Sequence, residues 1–403
     1  MGRAKEEWMR SCDRGYDLLD SEFVCINCVI NDFLKEVHSE DARQGDCSYC
    51  ERTGVPVTEA ERIQVQIMDC LLADYQDIQN SGAPYETREG GWQINHEMAQ
   101  EIVAEQIESA VGQEFLEAIV DAVHSDVSWC EREWTILSPI ARLHHGWNQF
   151  CMIVRNRLRF SFFLAETTED PKHPDYTHPS LTLEEIGELV DFHGLIRTVE
   201  AGAIVYRVRV DEVEYYDTLG DLGSGPPTSA AANRMSPAGI PMFYCADEAA
   251  TAVAETWDAK TPVRASIAKF ELIKLVRIID FTKLPDAPSY WSNPDRGLLA
   301  QYHFLHHLVS DLSLPVKLNS KVDLDYAPTQ IVSEYLTKAR YGYPSSYNPP
   351  SSLVHGLAFN SSKTGGMNYG LNLLKDSDPY SGIKQDEFVR LLEVEHRGLI
   401  PSP

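Results

Sequence analysis

The chain has 403 residues, 43% hydrophobic and 24% charged, which is enough length and apolar material for a large core and two or more domains. Asp and Glu outnumber Lys and Arg by 61 to 35, a formal charge of -26, and that field opposes binding to a phosphate backbone. There is no run of 18 apolar residues, and the opening MGRAKEEWMRSCDRGYD lacks a signal-peptide core, so the sequence argues for a cytoplasmic protein with no membrane partner.

The first element after a polar lead is CINCVINDFLKEVHSEDARQGDCSYC. Cys25 and Cys28 form one CxxC, Cys47 and Cys50 a second, with 18 residues between the pairs. Two knuckles of thiolates joined by a segment that can double back suit one tetrahedral zinc ion. Four protein ligands leave no open position for water, so the predicted role is structural. Cys12, Cys70, Cys130, Cys151 and Cys245 lack such spacing and read as packed thiols.

From Glu61 the pattern turns helical. Ile67, Met68, Leu71, Leu72, Tyr75 and Ile78 recur at the three-to-four spacing of one apolar face. A second helical stretch runs from Ile102 to Val123, and a third covers Trp147 to Leu164. The Pro-rich segment EDPKHPDYTHPS then marks a boundary near residues 168 to 180, and Thr182 with Glu185 reads as a capping box. Beyond Gly202 short strands dominate. AIVYRVRV, GIPMFYCA, PVRASIAKFELI and KLVRIIDF are β-branched or aromatic, while ATAVAETWD and QIVSEYLTKAR are helical, which predicts an α+β domain. The last stretch, YSGIKQDEFVRLLEVEHRGLI, reads as a C-terminal helix.

Three pieces of this second half carry ionisable or polar groups inside structured patterns. Arg207 lies in a strand, and Arg234 closes a loop rich in Gly, Ser and Pro. A guanidinium fork matches paired phosphate oxygens, so two of them at one pocket suggest a diphosphate, although either alone also serves as a surface or ion-pairing residue. Glu255 falls in a largely apolar helix with Asp247 placed to cap it; a buried carboxylate there needs donors or a positive partner, so it either pairs with Arg207 or Arg234 or faces a cleft and meets a ligand hydroxyl or a developing positive charge. Ser361 and Ser362 follow a short strand and precede a Gly-rich turn. There is no GxSxG elbow, P-loop, GxGxxG or HExxH.

The blocks Tyr206-Arg207, NRMSPAGIPMFYCADEAATAVAE and GLAFNSS resemble, in order, the three signature blocks of the RES domain, and the cysteine-rich start followed by helices resembles the HEPN/RES-type region fused to some of them. The resemblance implies an ADP-ribosyltransferase-like fold acting on NAD, in a family whose known members are toxins of toxin–antitoxin pairs. It implies Arg207 and Arg234 on the diphosphate, Tyr244 against nicotinamide or ribose, Glu255 at the ribose hydroxyls and the oxocarbenium-like centre, and Ser361 on the carboxamide or ordering the loop. One departure stands out: Met235-Ser236 occupies the place where the family usually has Trp-Asn. HEPN domains that act as ribonucleases have an Arg, four to six arbitrary residues, then His, a spacing that the first half lacks.

The resulting organisation is a four-cysteine zinc region over 1–60, a helical HEPN/RES-type domain over 61–197, a RES domain over 198–376 and a helical tail over 377–403. The expected activity is cleavage of the nicotinamide–ribose bond of NAD by hydrolysis or phosphorolysis. Transfer of ADP-ribose to a protein, or a non-enzymatic zinc-containing binding module, are the alternatives. An antitoxin or other regulatory protein is the expected partner, with a homodimer also open.

Overall fold

The computed structural model describes residues 3–165, 178–257, 260–292, 296–313, 322–338, 354–373 and 387–400. It divides into two compact units, one of Met1–Ser138 with Ala287–Ala300, the other of Pro139–Asp286 with Gln301–Pro403. The expected break near residues 168 to 180 lies mostly outside the described residues.

The first unit contains, in order, α1 (Arg3–Arg14), β1 (Phe23–Cys25), α2 (Asp32–Ser39), β2 (Arg43–Gly45), β3 (Val55–Glu59), α3 (Ala60–Asp74), β4 (Tyr75–Asp77), β5 (Tyr85–Glu86), β6 (Gly91–Trp92), β7 (Glu97–Met98), α4 (Ala99–Ile107), α5 (Gln113–Ala122) and β8 (Ser128–Glu131). Its core is built by Ile63, Ile67, Met68, Val103, Phe115 and Ile119, all in the predicted helical stretches, with Ile63 preceding the apolar positions named there. The helical reading missed two features. Helix α3 stops before Tyr75, which pairs in a strand with Glu131, and the Ile102–Val123 stretch is two helices broken at Glu108–Gly112. Trp291, from the segment that joins this unit late in sequence, is 5% exposed and belongs to the same core. Its carbonyl accepts from Gln66 Nε2 at 2.8 Å, and Tyr290 Oη donates to Asp74 Oδ2 at 2.7 Å.

The second unit holds α6 (Pro139–Asn156), α7 (Pro179–Phe192), β9 (Ile196–Val199), β10 (Ile204–Asp211), α8 (Leu219–Leu222), β11 (Phe243–Ala246), α9 (Ala249–Thr256), β12 (Val263–Leu272), β13 (Val276–Asp280), α10 (Leu299–Ser313), α11 (Val322–Lys338), β14 (Gly356–Asn360), β15 (Met367–Leu371) and β16 (Val389–Leu399). The eight strands form one sheet in the order β16-β12-β10-β11-β15-β14-β13-β9, in which only β13 and β14 are parallel. This is the predicted α+β architecture. Alternation separates its two faces: Ile279 and Leu357 enter a core with α6, α7, α10 and α11, while Ile278 and Ala358 enter a second core with Phe243 and Phe270. Gly356 lets β14 and β15 approach; a Cβ there would lie 2.0 Å from the Gly370 carbonyl oxygen.

Three local expectations are corrected. The C-terminal helix is strand β16, which pairs along β12 from Val263↔Leu399 to Leu272↔Val389; this long-range ladder overrides a local helical preference. Its Arg390, Glu393, Glu395 and Arg397 keep a sheet edge charged, which discourages further pairing. Helix α7 starts at Pro179 with His178 as its cap, so Thr182 lies inside the helix. Asp247 does not cap α9; its Oδ1 accepts from the backbone N–H of Met367 at 3.0 Å, and Glu248 occupies the cap position.

Candidate active site

Strand β10 runs against β12 for eight residue pairs but meets β11 at one, Tyr206↔Ala246. The sheet therefore opens beside that pair, and the groups of β11 facing the opening need other partners. Arg207 supplies one. Its Nη1 donates to the Tyr244 carbonyl at 2.7 Å, and its guanidinium carbon lies 5.4 Å from the Phe243 ring centre. Burial pushes this guanidinium below its ordinary pKa. A cleft of about 290 Å³ lies here, walled by residues that include Arg207, Arg209, Asp221, Asn233, Ser236 and Tyr244.

Arg234 sits in a tight turn closed by Asn233 N–H to Ser236 O at 2.8 Å. Its Nη1 donates to the Leu312 carbonyl at 2.6 Å, near the end of α10, where a cation also suits the helix dipole. Burial pushes its pKa down, while Tyr326 and then Glu255 act in the opposite direction, so the charge of Glu255 is felt at Arg234. Tyr244 links the turn to the sheet, its Oη standing 3.0 Å from Ser236 Oγ. Burial, partly offset by the Ser236 hydrogen bond, pushes the phenol up to about 12, so it stays protonated at neutral pH. Met235 is 2% exposed and packs in the helical core, so its side chain fills the interior.

Glu255 is exposed, contrary to the buried carboxylate expected from its apolar helix. The buried positions of α9 are Thr251 and Ala252, and Glu255 falls in the last turn of an eight-residue helix. Its partners are donors, with no ion pair among the described residues. Ser361 Oγ donates to Oε1 at 2.6 Å, and Asn368 Nδ2 donates to the same oxygen at 3.0 Å. Lys363 Nζ donates to the Ala254 carbonyl at 2.5 Å, fastening the end of the helix. Gly366 keeps the turn tight, since a Cβ there would lie 2.3 Å from Thr251 Oγ1.

The predicted residues thus fall into two groups. Arg207 and Tyr244 wall the cleft, and Ser236 connects them to the Arg234 turn. Glu255 and Ser361 are joined directly. Arg234, Glu255 and Ser361 are not among the cleft's wall residues. What this arrangement offers is guanidinium donors, a polar cleft and an accessible carboxylate held in a fixed orientation.

In the first unit, Cys25, Cys28, Cys47 and Cys50 meet as predicted, with all four Sγ atoms within 4.8 Å of one another. Neighbouring sulfurs are 3.6 to 3.8 Å apart. Tetrahedral zinc–thiolate bonds of about 2.3 Å require sulfur separations of about 3.8 Å, so this donor set fits a metal ion of that kind. The backbone N–H groups of Cys25 and Tyr49 point at Cys47 Sγ at 3.3 and 3.5 Å, donors suited to a thiolate.

Residues 204–391 match the RES domain, and residues 40–168 match HEPN/RES N-terminal domain 1. The 204–391 part of the chain is similar to a RES domain. No curated protein matches the chain. Among solved structures, the M. tuberculosis MbcT–MbcA toxin–antitoxin complex is similar at 13% identity over 54% of this chain and 93% of that one, with a TM-score of 0.27. No helix among the described residues is long and apolar enough to cross a membrane.

The RES match begins at β10 and ends within β16, so it contains all five predicted site residues. The compact second unit is larger than that match, since it also holds α6, α7 and β9. Sequence reasoning missed Asn368 and Lys363. Asn368 left a usable signal, an amide at an alternating strand position in GMNYGL; Lys363 left none, because only the folded turn brings it to α9.

Proposed function

We propose that the RES domain cleaves the bond between nicotinamide and ribose in NAD. The observation that carries this reading is the exposed Glu255 carboxylate, held through Oε1 by Ser361 and Asn368. In hydrolysis the C1″–N bond breaks and its electron pair returns to the nicotinamide ring, which leaves neutral. Water forms the new C1″–O bond and releases one proton. The departing group needs no acid, so the protein contributes position and electrostatics. Arg207 and Arg234 bind the diphosphate through the guanidinium nitrogens not already engaged, and the neutral Tyr244 phenol packs against ribose or nicotinamide. Glu255 binds the ribose hydroxyls and stabilises the positive ring that develops. Ser361 orients Glu255. Phosphate in place of water gives phosphorolysis by the same geometry.

The exposure of Glu255 also favours a second reading, transfer of ADP-ribose to a protein, because an open carboxylate leaves room for a large acceptor. Purified full-length protein with labelled NAD in lysate separates the two. Free nicotinamide with ADP-ribose or its 1″-phosphate supports cleavage, and a labelled protein band supports transfer. The four cysteines are proposed to hold one structural zinc ion. A cell containing such an activity loses its NAD, so we also propose toxin-like depletion restrained by an antitoxin or other regulatory protein. Growth arrest by the wild-type chain but not by Glu255→Ala tests the toxicity and its cause; relief of the arrest by a co-expressed regulatory protein tests the restraint.

A further inference from the structure

We infer that Asn368 is a positioning residue, fixing the Glu255 carboxylate to the central sheet; the inference rests on the NAD-cleaving reading above. Asn368 lies in β15, opposite Ala246 of β11 on one side and Phe359 of β14 on the other, and is 7% exposed. A buried amide must find hydrogen-bond partners, and Nδ2 finds Glu255 Oε1 at 3.0 Å. The opposite amide orientation would set Oδ1 against a carboxylate oxygen, two acceptors in contact, so the donor assignment follows from the chemistry.

Ser361 and Asn368 do different work on that oxygen. Ser361 Oγ accepts the backbone N–H groups of Lys363 at 3.1 Å and Thr364 at 3.2 Å, which directs its single proton at Glu255. That hydroxyl belongs to a turn. Asn368 belongs to a strand bonded on both sides, a more rigid support. With both donors on Oε1, rotation of the carboxylate breaks two hydrogen bonds at once. Oε2 has no donor among the described residues and is left for the ribose. The rigid sheet thereby sets where the negative charge stands when positive charge develops on the sugar.

The test uses the full chain with Asn368→Leu, which removes the donor at similar volume, and Asn368→Asp, which puts a second carboxylate against Oε1. At pH 7.5 the expected kcat for nicotinamide release falls about 10-fold or more in Asn368→Leu and further in Asn368→Asp, with KM changed by less than about threefold. A purely structural role would not order the variants this way at unchanged KM. In parallel, thermal unfolding of Asn368→Leu, Glu255→Leu and the double variant forms a cycle, with non-additive shifts in Tm expected for side chains in contact. Wild-type kcat in both Asn368 variants overturns the inference, as do additive Tm shifts. If wild-type protein releases no nicotinamide, the proposed function fails by itself, and the unfolding cycle decides the role of Asn368: additivity overturns it, and coupling supports it.

Discussion

Ser361→Ala removes one donor from Glu255 and nothing from the cleft wall, so its effect can be sized from the structure. The lost bond is a 2.6 Å hydroxyl–carboxylate contact. Hydrogen bonds to charged groups contribute about 1.5–3 kcal/mol, and the acceptor for the Lys363 and Thr364 N–H groups disappears at the same time. If that loss falls on the transition state, in which Glu255 faces the developing positive ring, about 1.4 kcal/mol per tenfold gives a fall in kcat of about 10- to 150-fold. Steady-state nicotinamide release by the full chain, with NAD varied across KM, measures it. A melting curve beside it checks that the domain remains folded. The expected pattern is reduced kcat with KM nearly constant. Unchanged kcat, or a loss confined to KM, would refute the idea that Ser361 acts by orienting Glu255.

Gly356→Ala is expected to destabilise the second unit by about 3 kcal/mol, because the new methyl group meets the Gly370 carbonyl and β14 must part from β15; a Tm equal to wild type contradicts this close approach. Elemental analysis of protein purified without chelator should give one zinc per chain, and Cys25→Ser with Cys28→Ser should abolish it and unfold the first unit; well under one zinc in the wild type rules the site out. Burial pushes Cys151 up to about 12 and Cys245 higher still, so at pH 8 about 1 in 10,000 Cys151 thiols is thiolate. Iodoacetamide should therefore label the exposed Cys12 in the folded chain and spare Cys151 and Cys245, with mass spectrometry of the digests as the readout.

The sequence disclosed most where the chemistry depends on local spacing. Two CxxC pairs sufficed to bring four sulfurs to tetrahedral distances, because each knuckle is a short loop with little freedom. The alternation in IVYRVRV placed Arg207 on a strand, and the apolar periodicity located α3. Features set by distant parts of the chain were not legible. The C-terminal strand exists because β12, some 120 residues earlier, offers a complete edge. The opening between β10 and β11 depends on a ladder that stops after one pair, and no residue in either strand announces that. Glu255 looked buried because its neighbours are apolar, but α9 is short, and its end emerges where Ser361, Lys363 and Asn368 meet it from a segment about 110 residues later.

The central claim is most directly tested by incubating purified full-length protein with NAD and quantifying nicotinamide, ADP-ribose and its 1″-phosphate, with and without added phosphate, beside Glu255→Ala. The account predicts one nicotinamide per NAD consumed by the wild-type chain, and loss of that turnover in Glu255→Ala at an unchanged melting temperature. Intact NAD in the wild-type reaction under both conditions, or equal nicotinamide from Glu255→Ala, would contradict it.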